Sequence, residues 1–434
     1  MNPLYRNDTA GEFPASWYAA TADLPPQRPS LRGNQQADVC IIGAGYTGLT
    51  AALRLAQAGR KVIVLEAHRA GFGASGRNGG QVGSGYNWHQ IDLAKKLGDD
   101  PARALWDCAE QAKADLHDLI DTHAPDAKWT PGVAFGTYSD KGRKDLHAEA
   151  EFLARNYGYD KITPLDRAGL HDIVRTDAYA GGWLDNGAAH IHPLRYAVGL
   201  AAAAEAAGAV ILEGSEVHCI QQGTPARVQT GRGVVTADHV ILAGNGYLPG
   251  INRKVAARVM PINSFIGATE PLGDLADEVL TCDIAVADSK FVVNYYRLSE
   301  DRRLLFGGRE SYSVGFPTDI APALHARMVS LFPQLAQVKL DYVWGGTLGI
   351  TMTRLPALQR VAPNMMSGAG FSGHGVALSG FTGRVMAEAI LGQTGRFDVM
   401  SALPVPNFPG GARFSTPLLT LAMTWYALRD RLGV

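Results

Sequence analysis

Cysteine is scarce in this chain of 434 residues, which has only Cys40, Cys108, Cys219 and Cys282. They lie far apart with no CxxC pair, which excludes a motif-type zinc cluster and a dense disulfide framework and fits reduced thiols in a cytoplasmic setting. An excess of charge of either sign is also missing. Forty Lys+Arg face 41 Asp+Glu for a net charge of -1, so nothing electrostatic points to nucleic acid or an anionic membrane. No apolar run reaches the roughly 18 residues of a spanning helix. The N-terminal stretch MNPLYRNDTAGEFPASWYAATADLPPQRPS lacks the basic start and apolar core of a signal peptide. No fixed-period repeat is present, which excludes a solenoid or propeller.

Glycine, in contrast, is abundant: 50 residues, where average composition would give about 30. With 46% hydrophobic residues the chain can bury a large core, and its length suggests about two or three domains. The glycine is informative where it clusters. Residues 37–67, ADVCIIGAGYTGLTAALRLAQAGRKVIVLEA, read as strand, glycine turn, helix and second strand, one complete βαβ unit. Val39 to Ile42 form the continuous apolar run of a strand buried on both faces. In Gly43-Ala-Gly45-Tyr46-Thr47-Gly48 the first glycine permits the turn, the second lets backbone approach a pyrophosphate, and the third allows helix and strand to pack closely. The helix start offers N–H groups and a positive dipole end to phosphate. Glu66, closing the second strand, can accept hydrogen bonds from both ribose hydroxyls and repels the extra phosphate of NADP.

This motif alone leaves NAD and FAD open. A second glycine cluster follows at once, GFGASGRNGGQ over 71–81, with Gly73, Ala74, Gly79 and Gly80 for close approach and Ser75, Arg77, Asn78 and Gln81 as polar handles. A third, SGAGFSGHGV over 367–376, reads as strand, turn and helix start: Gly370, Ser372, Gly373, His374, Gly375 and Val376 would aim N–H groups at a ligand on the sheet edge. A helix N-terminus there would stabilise the anionic N1 and C2 carbonyl region of a reduced flavin.

Together, GAGYTGL, VIVLEA, GASGRNGGQ, GGWLDNGAAHIHPLRYA, AGNGYL, NYYRLSEDRRLLFGG and FSGHGV resemble the FAD-dependent oxidases of amines and amino acids that include D-amino acid, glycine and sarcosine oxidases. The resemblance covers nearly the whole chain. It implies a Rossmann-type FAD-binding domain interleaved with a mostly antiparallel β substrate domain. The FAD domain would comprise 36–88, 190–251 and 344–400, and the substrate domain 89–189 and 252–343. An N-terminal docking segment (1–35) and a C-terminal segment with a helix (401–434) would flank them. It also implies Ala67, Val217, Ala243, Gly244, Asn245, Gly346, Leu348, Gly349 and Ile350 as further cofactor contacts. Some relatives attach flavin through a Cys in the strand before the last glycine block. Residues 344–356 here contain none, so non-covalent FAD is expected.

The implied reaction is oxidation of an amine CH–NH to an imine that water hydrolyses, with O2 or another acceptor reoxidising the flavin. An ω-amine is the expected substrate, and a secondary or cyclic amino acid such as pipecolate or sarcosine the alternative. Tyr295, Tyr296, Arg297 and Arg309 form the candidate catalytic set, as aromatic walls and carboxylate clamps. Arg354 reads equally as a flavin contact or a salt-bridge residue. His190 and His192 have no third ligand at motif spacing, so no metal is expected. Leu418, Leu421, Ala422, Trp425 and Leu428 form a helical stripe suited to the protein's own core or a partner subunit, with peripheral membrane contact as the alternative. A nicotinamide-dependent dehydrogenase would share the first motif and Glu66 but leaves the other two glycine clusters unexplained. A non-catalytic flavin-binding module would bind the cofactor without oxidising an amine.

Overall fold

The strand Gly33–Ile42 shows how the first sheet is built. Val39 and Ile41 point into one apolar cluster and Cys40 and Ile42 into another, which is why the run VCII carries no polar alternation. Gly33–Ile42 pairs in parallel with Gly233–Leu242 and Val62–Leu65, and these pair in parallel with Met365–Ala369 and Val210–Leu212 respectively. A hairpin partner, Ala357–Ala362, closes the edge antiparallel to Met365–Ala369. The computed structural model describes residues 4–311 and 315–409, and among these the sheet has eight strands. The tail stripe from Leu418 to Leu428 lies outside the described residues. Helices Tyr46–Gln57, Pro193–Ala206 and Val376–Ile390 cover one face.

The second sheet, of nine strands among the described residues, is mostly antiparallel. Leu340–Ile350 pairs with Met260–Thr269, followed across the sheet by Leu304–Ser311, Tyr295–Leu298 and Ala285–Asp288. The last of these pairs in parallel with Thr130–Thr137. Helix Ile320–Leu331 packs on one face through Leu324, Met328 and Leu331, against Phe265, Tyr296 and Phe306. The other face carries Ile266, Leu305 and Trp344, covered by Trp17 and Tyr18 of the N-terminal segment. This is the α/β architecture expected of an interleaved two-sheet protein.

Two boundaries differ from the expected ones. Residues 344–350, expected with the first sheet, extend the second sheet instead, and the first resumes only at Ala357. Helix Asp99–His123, expected over the substrate domain, buries Ala102, Leu105, Ala109, Ala112 and Leu116 in the same core as the helices on the first sheet. Amphipathicity reveals that a helix has an apolar face, but not which sheet receives it. Among the described residues no helix is long and apolar enough to cross a membrane.

The N-terminal segment has little regular structure beyond helix Trp17–Thr21, yet it is anchored firmly. Tyr18 is fully buried, edge-on to Trp344 at 5.3 Å and to His192 at 5.0 Å. Substituting Tyr18→Ala is expected to lower the unfolding free energy by about 3 kcal/mol, read as a lower urea midpoint. An unchanged midpoint would show that the segment contributes no stability.

Candidate active site

The glycine turn after Gly33–Ile42 is shaped by backbone crowding. Gly43 has φ +106° and its N–H donates to the Leu65 carbonyl at 2.9 Å. A Cβ on Gly43 would come within 2.9 Å of the Ala243 backbone, and one on Gly48 would overlap the Gly43 carbonyl oxygen. Gly45 caps helix Tyr46–Gln57 without a side chain. Ser75 Oγ accepts from the Tyr46 N–H at 3.0 Å, which brings the second glycine cluster to the helix start where Thr47 and Gly48 follow. Glu66 accepts from the N–H groups of Ala44 and His68, each at 2.8 Å, through different oxygens. Burial raises its pKa, and backbone hydrogen bonds from His68, Ala44 and Ala67 oppose that. Ser215 N–H donates to the Glu66 main-chain carbonyl at 2.7 Å, and strand Val217–Gln221 begins two residues later.

Asn245 ties the third cluster to the end of strand Leu340–Ile350. This residue, at φ +46°, accepts from the Gly370 N–H at 2.9 Å, and a Cβ on Gly349 would clash with the same oxygen. Gly244 lies just before it at the helical cap. Ser372, at φ +53°, donates its N–H to the Gly349 carbonyl at 3.1 Å and accepts from Thr351 N–H at 3.2 Å. Gly346 lies against the Arg77 side chain, while Leu348 and Ile350 pack with Met260 and Ile262. Gly373, at φ +85°, faces open space, and Gly375 and Val376 begin helix Val376–Ile390.

Several polar handles hold protein rather than project freely. Asn78 Nδ2 donates to the Ala74 and Ser75 carbonyls and its Oδ1 accepts from Gly80 N–H. Gln81 Nε2 donates to the Val286 carbonyl at 2.8 Å. Arg77 is buried, with Nε on the Phe72 carbonyl at 2.7 Å and Nη1 on Asp8 and the Gly345 carbonyl at 2.9 and 3.0 Å. Gly79 leaves room for the Tyr295 ring, and Gly80, at φ +82°, approaches the Ile191 carbonyl. Gly73 opens the short helical turn Ala74–Gly76 beside Tyr247.

The candidate catalytic set separates in space. Strand alternation sends Tyr295 toward Ser264, hydroxyl to hydroxyl at 3.2 Å, and buries Tyr296 on the opposite face, stacked with Phe306 and 3.1 Å from the Tyr179 hydroxyl. Tyr296 is therefore core, not an active-site wall. Arg297 is buried and donates to the carbonyls of Gly79, Leu298 and Ile191 at 3.1, 3.2 and 3.2 Å. It pins the glycine loop rather than offering a clamp to substrate. Arg309 pairs with Asp319 at 2.6 Å, so it too lacks a free fork. His190 and His192 part likewise, toward Asp283 and Thr21 respectively. Among the described residues no group of three metal-binding side chains occurs.

Among the described residues six buried side-chain nitrogens have no hydrogen-bond partner, and two of them, Arg77 Nη2 and His374 Nε2, lie in the second and third glycine clusters. Such groups are costly unless a ligand meets them. With the glycine turns, the ribose-suited Glu66 and the helix start at Val376, they fit a long dinucleotide with a polar-edged ring. A model of the FAD dependent oxidoreductase (DAO) family matches residues 38–389. The chain belongs to this family. It is 41% identical over 417 residues to the probable oxidoreductase OrdL of Rhizobium meliloti (strain 1021), covering 96% of this chain and 97% of that one. It is 39% identical over 425 residues to the gamma-glutamylputrescine oxidoreductase of Escherichia coli (strain K12), covering 98% of this chain and 100% of that one. Glycine oxidase from Geobacillus kaustophilus shares the fold, with a TM-score of 0.70 at 22% identity, covering 83% of this chain and 95% of that one.

In this FAD-dependent oxidoreductase a buried polar network lies behind the His374 segment, and sequence reading missed it. Lys113 Nζ donates to Ser84 Oγ at 2.6 Å, to the Tyr159 hydroxyl at 3.1 Å and to the Gly187 carbonyl at 3.1 Å, and pairs with Glu110 at 2.9 Å. Ser84 and Tyr159 both donate to Asp185, at 2.6 and 2.7 Å. The one sequence signal was a lysine set between Ala112 and Leu116 on an apolar stripe. Asp8, the other omission, lies in a segment with no periodicity to read. Burial lowers the His374 pKa to about 4, with the Lys113 charge adding to it and the Gly85 and Ser84 backbone opposing.

Two expectations follow. Gly48→Ala should release FAD, seen as loss of flavin absorbance after gel filtration, because its Cβ overlaps the Gly43 carbonyl oxygen. For His374, the unfolded imidazole titrates near 6.5 and the folded one near 4, so the unfolded state binds more protons between them and stability falls as pH drops through that window. His374→Asn should lose that part of the slope, measured by urea unfolding from pH 7 to pH 4 in parallel with the wild type.

Proposed function

We propose that the enzyme oxidises a primary amine at the end of a chain, with gamma-glutamylputrescine or a similar ω-amine as substrate. The observation that carries this reading is the 39% identity, maintained over 425 residues, to an enzyme named for that substrate. Bound FAD would accept a hydride from the amine's α carbon, and O2 would take the electrons to give H2O2. The amine nitrogen loses a proton as the C=N bond forms, and water hydrolyses the imine to an aldehyde and ammonia.

This chemistry needs orientation and a dry pocket more than a strong base. Gly43, Gly45, Gly48 and the helix start would hold the pyrophosphate, Glu66 the ribose, and the strand end Gly346–Ile350 with the turn Gly370–Gly375 the ring. The lowered His374 pKa leaves a neutral imidazole at physiological pH, so this side chain enters the site as an uncharged hydrogen-bonding group. Tyr295, half-buried on the second sheet, supplies an aromatic surface near Gly79.

The decisive test is anaerobic mixing of the purified holoenzyme with gamma-glutamylputrescine, putrescine, sarcosine, pipecolate and several D-amino acids while flavin absorbance is followed. Rapid bleaching by gamma-glutamylputrescine is expected, at least tenfold faster than by sarcosine or pipecolate. Bleaching by none removes the amine reading. Preferential bleaching by pipecolate or sarcosine replaces the substrate class. Reoxidation in air with stoichiometric H2O2 is the expected outcome for the acceptor.

A further inference from the structure

The turn that follows strand Leu340–Ile350 carries an arginine in an unusual setting. Arg354 has φ +60°, a left-handed conformation that costs a non-glycine residue energy and that persists where the surroundings impose it. Three ties impose it. Arg354 N–H donates to the Thr351 carbonyl at 3.2 Å, Trp88 Nε1 donates to the Thr353 carbonyl at 2.6 Å, and Thr351 N–H donates to Ser372 Oγ. The turn is thus joined directly to the block that begins helix Val376–Ile390, and Asn87 Nδ2 bonds the Ser372 carbonyl at 3.0 Å from the other side.

The guanidinium is half-buried and lies 4.7 Å from the Phe291 ring centroid. Phe291 sits on a rigid loop. Asp288, fully buried, accepts from the N–H groups of Lys290 and Asn294 and from Asn294 Nδ2, and Arg327 donates to the Val292 carbonyl. Among the described residues no carboxylate pairs with Arg354. Stacking on an aromatic face orients the guanidinium plane and leaves its donor edge open, which is the arrangement for bidentate carboxylate recognition.

We infer that Arg354, held against Phe291, is the specificity-determining anchor for a carboxylate at the end of the substrate remote from the reacting amine. This deepens the amine reading and rests on it. Arg77, Arg297 and Arg309, beside the glycine clusters and second sheet, are each engaged by protein acceptors, whereas Arg354 combines an open fork with an imposed backbone. A γ-glutamyl amine carries such a carboxylate, and putrescine does not.

The test uses Arg354→Asn, because asparagine tolerates the left-handed conformation and preserves the fold, and Arg354→Lys, which keeps the charge without the fork. Calorimetry with γ-glutamylbutylamide, which has the carboxylate but no reacting amine, is expected to show binding weakened about tenfold to a hundredfold in Arg354→Asn and partly restored in Arg354→Lys. In anaerobic flavin reduction the apparent Kd for gamma-glutamylputrescine should rise by the same factor with the limiting rate within about twofold, while putrescine kinetics stay unchanged. Equal losses on both amines, no loss on either, or failure of γ-glutamylbutylamide to bind the wild type would overturn the anchor. Because the calorimetric arm needs no turnover, it separates failure of the anchor from failure of the amine reading.

Discussion

Backbone-on-backbone contact around one short helix is the constraint from which the rest of the molecule follows. Helix Tyr46–Gln57 is pressed onto the turn that precedes it, since a Cβ on Gly48 would overlap the Gly43 carbonyl. Helix Val376–Ile390 presses on it from the other side, where a Cβ on Gly383 would overlap the Thr47 carbonyl. Both contacts need glycine, and both bring helix termini to the same edge of the parallel sheet. That edge is where N–H groups and dipole ends converge. Parts of the chain more than 300 residues apart in sequence are thereby brought to one edge of the sheet.

A second layer of constraint is carried by buried arginines. Arg77 joins the middle glycine cluster to Asp8 in the N-terminal segment and to the Gly345 carbonyl in the second sheet. Arg297 joins the same cluster and the Ile191 carbonyl from the opposite side. Both act as charged rivets that fix the glycine loop against the second sheet, donating to buried carbonyls. This explains why residues that look like substrate clamps in the sequence are structural, and why the catalytic surface has to be sought at the turns instead.

The turns are where strain is held. Asn245, Arg354 and Ser372 are non-glycine residues at positive φ, and all three belong to the segments that meet at the third glycine cluster. Asn245 and Ser372 use the conformation to tie strand ends together. Arg354 uses it to present a side chain. The polar network of Lys113, Ser84, Tyr159 and Asp185 supports the same region from behind, fixing the Gly83–Gly85 turn against which the His374 imidazole lies.

The sequence by itself determined the parallel sheet and the glycine turns at its edge. Gly43, Gly45, Gly48, Glu66 and the later clusters are legible because backbone geometry demands particular residues at particular spacings, whatever the rest of the chain does. Apolar runs such as Val39–Ile42 are equally legible, because a strand buried on both faces has no room for polar side chains. Only the tertiary structure decided that Tyr296 is core while Tyr295 faces the other way, that Arg297 and Arg309 have protein partners, that residues 344–350 belong to the second sheet, and that Arg354 has no carboxylate partner among the described residues. Those facts depend on which strands pair and which distant groups arrive beside a side chain. Such pairings are set by packing between segments remote in sequence, which local spacing cannot encode.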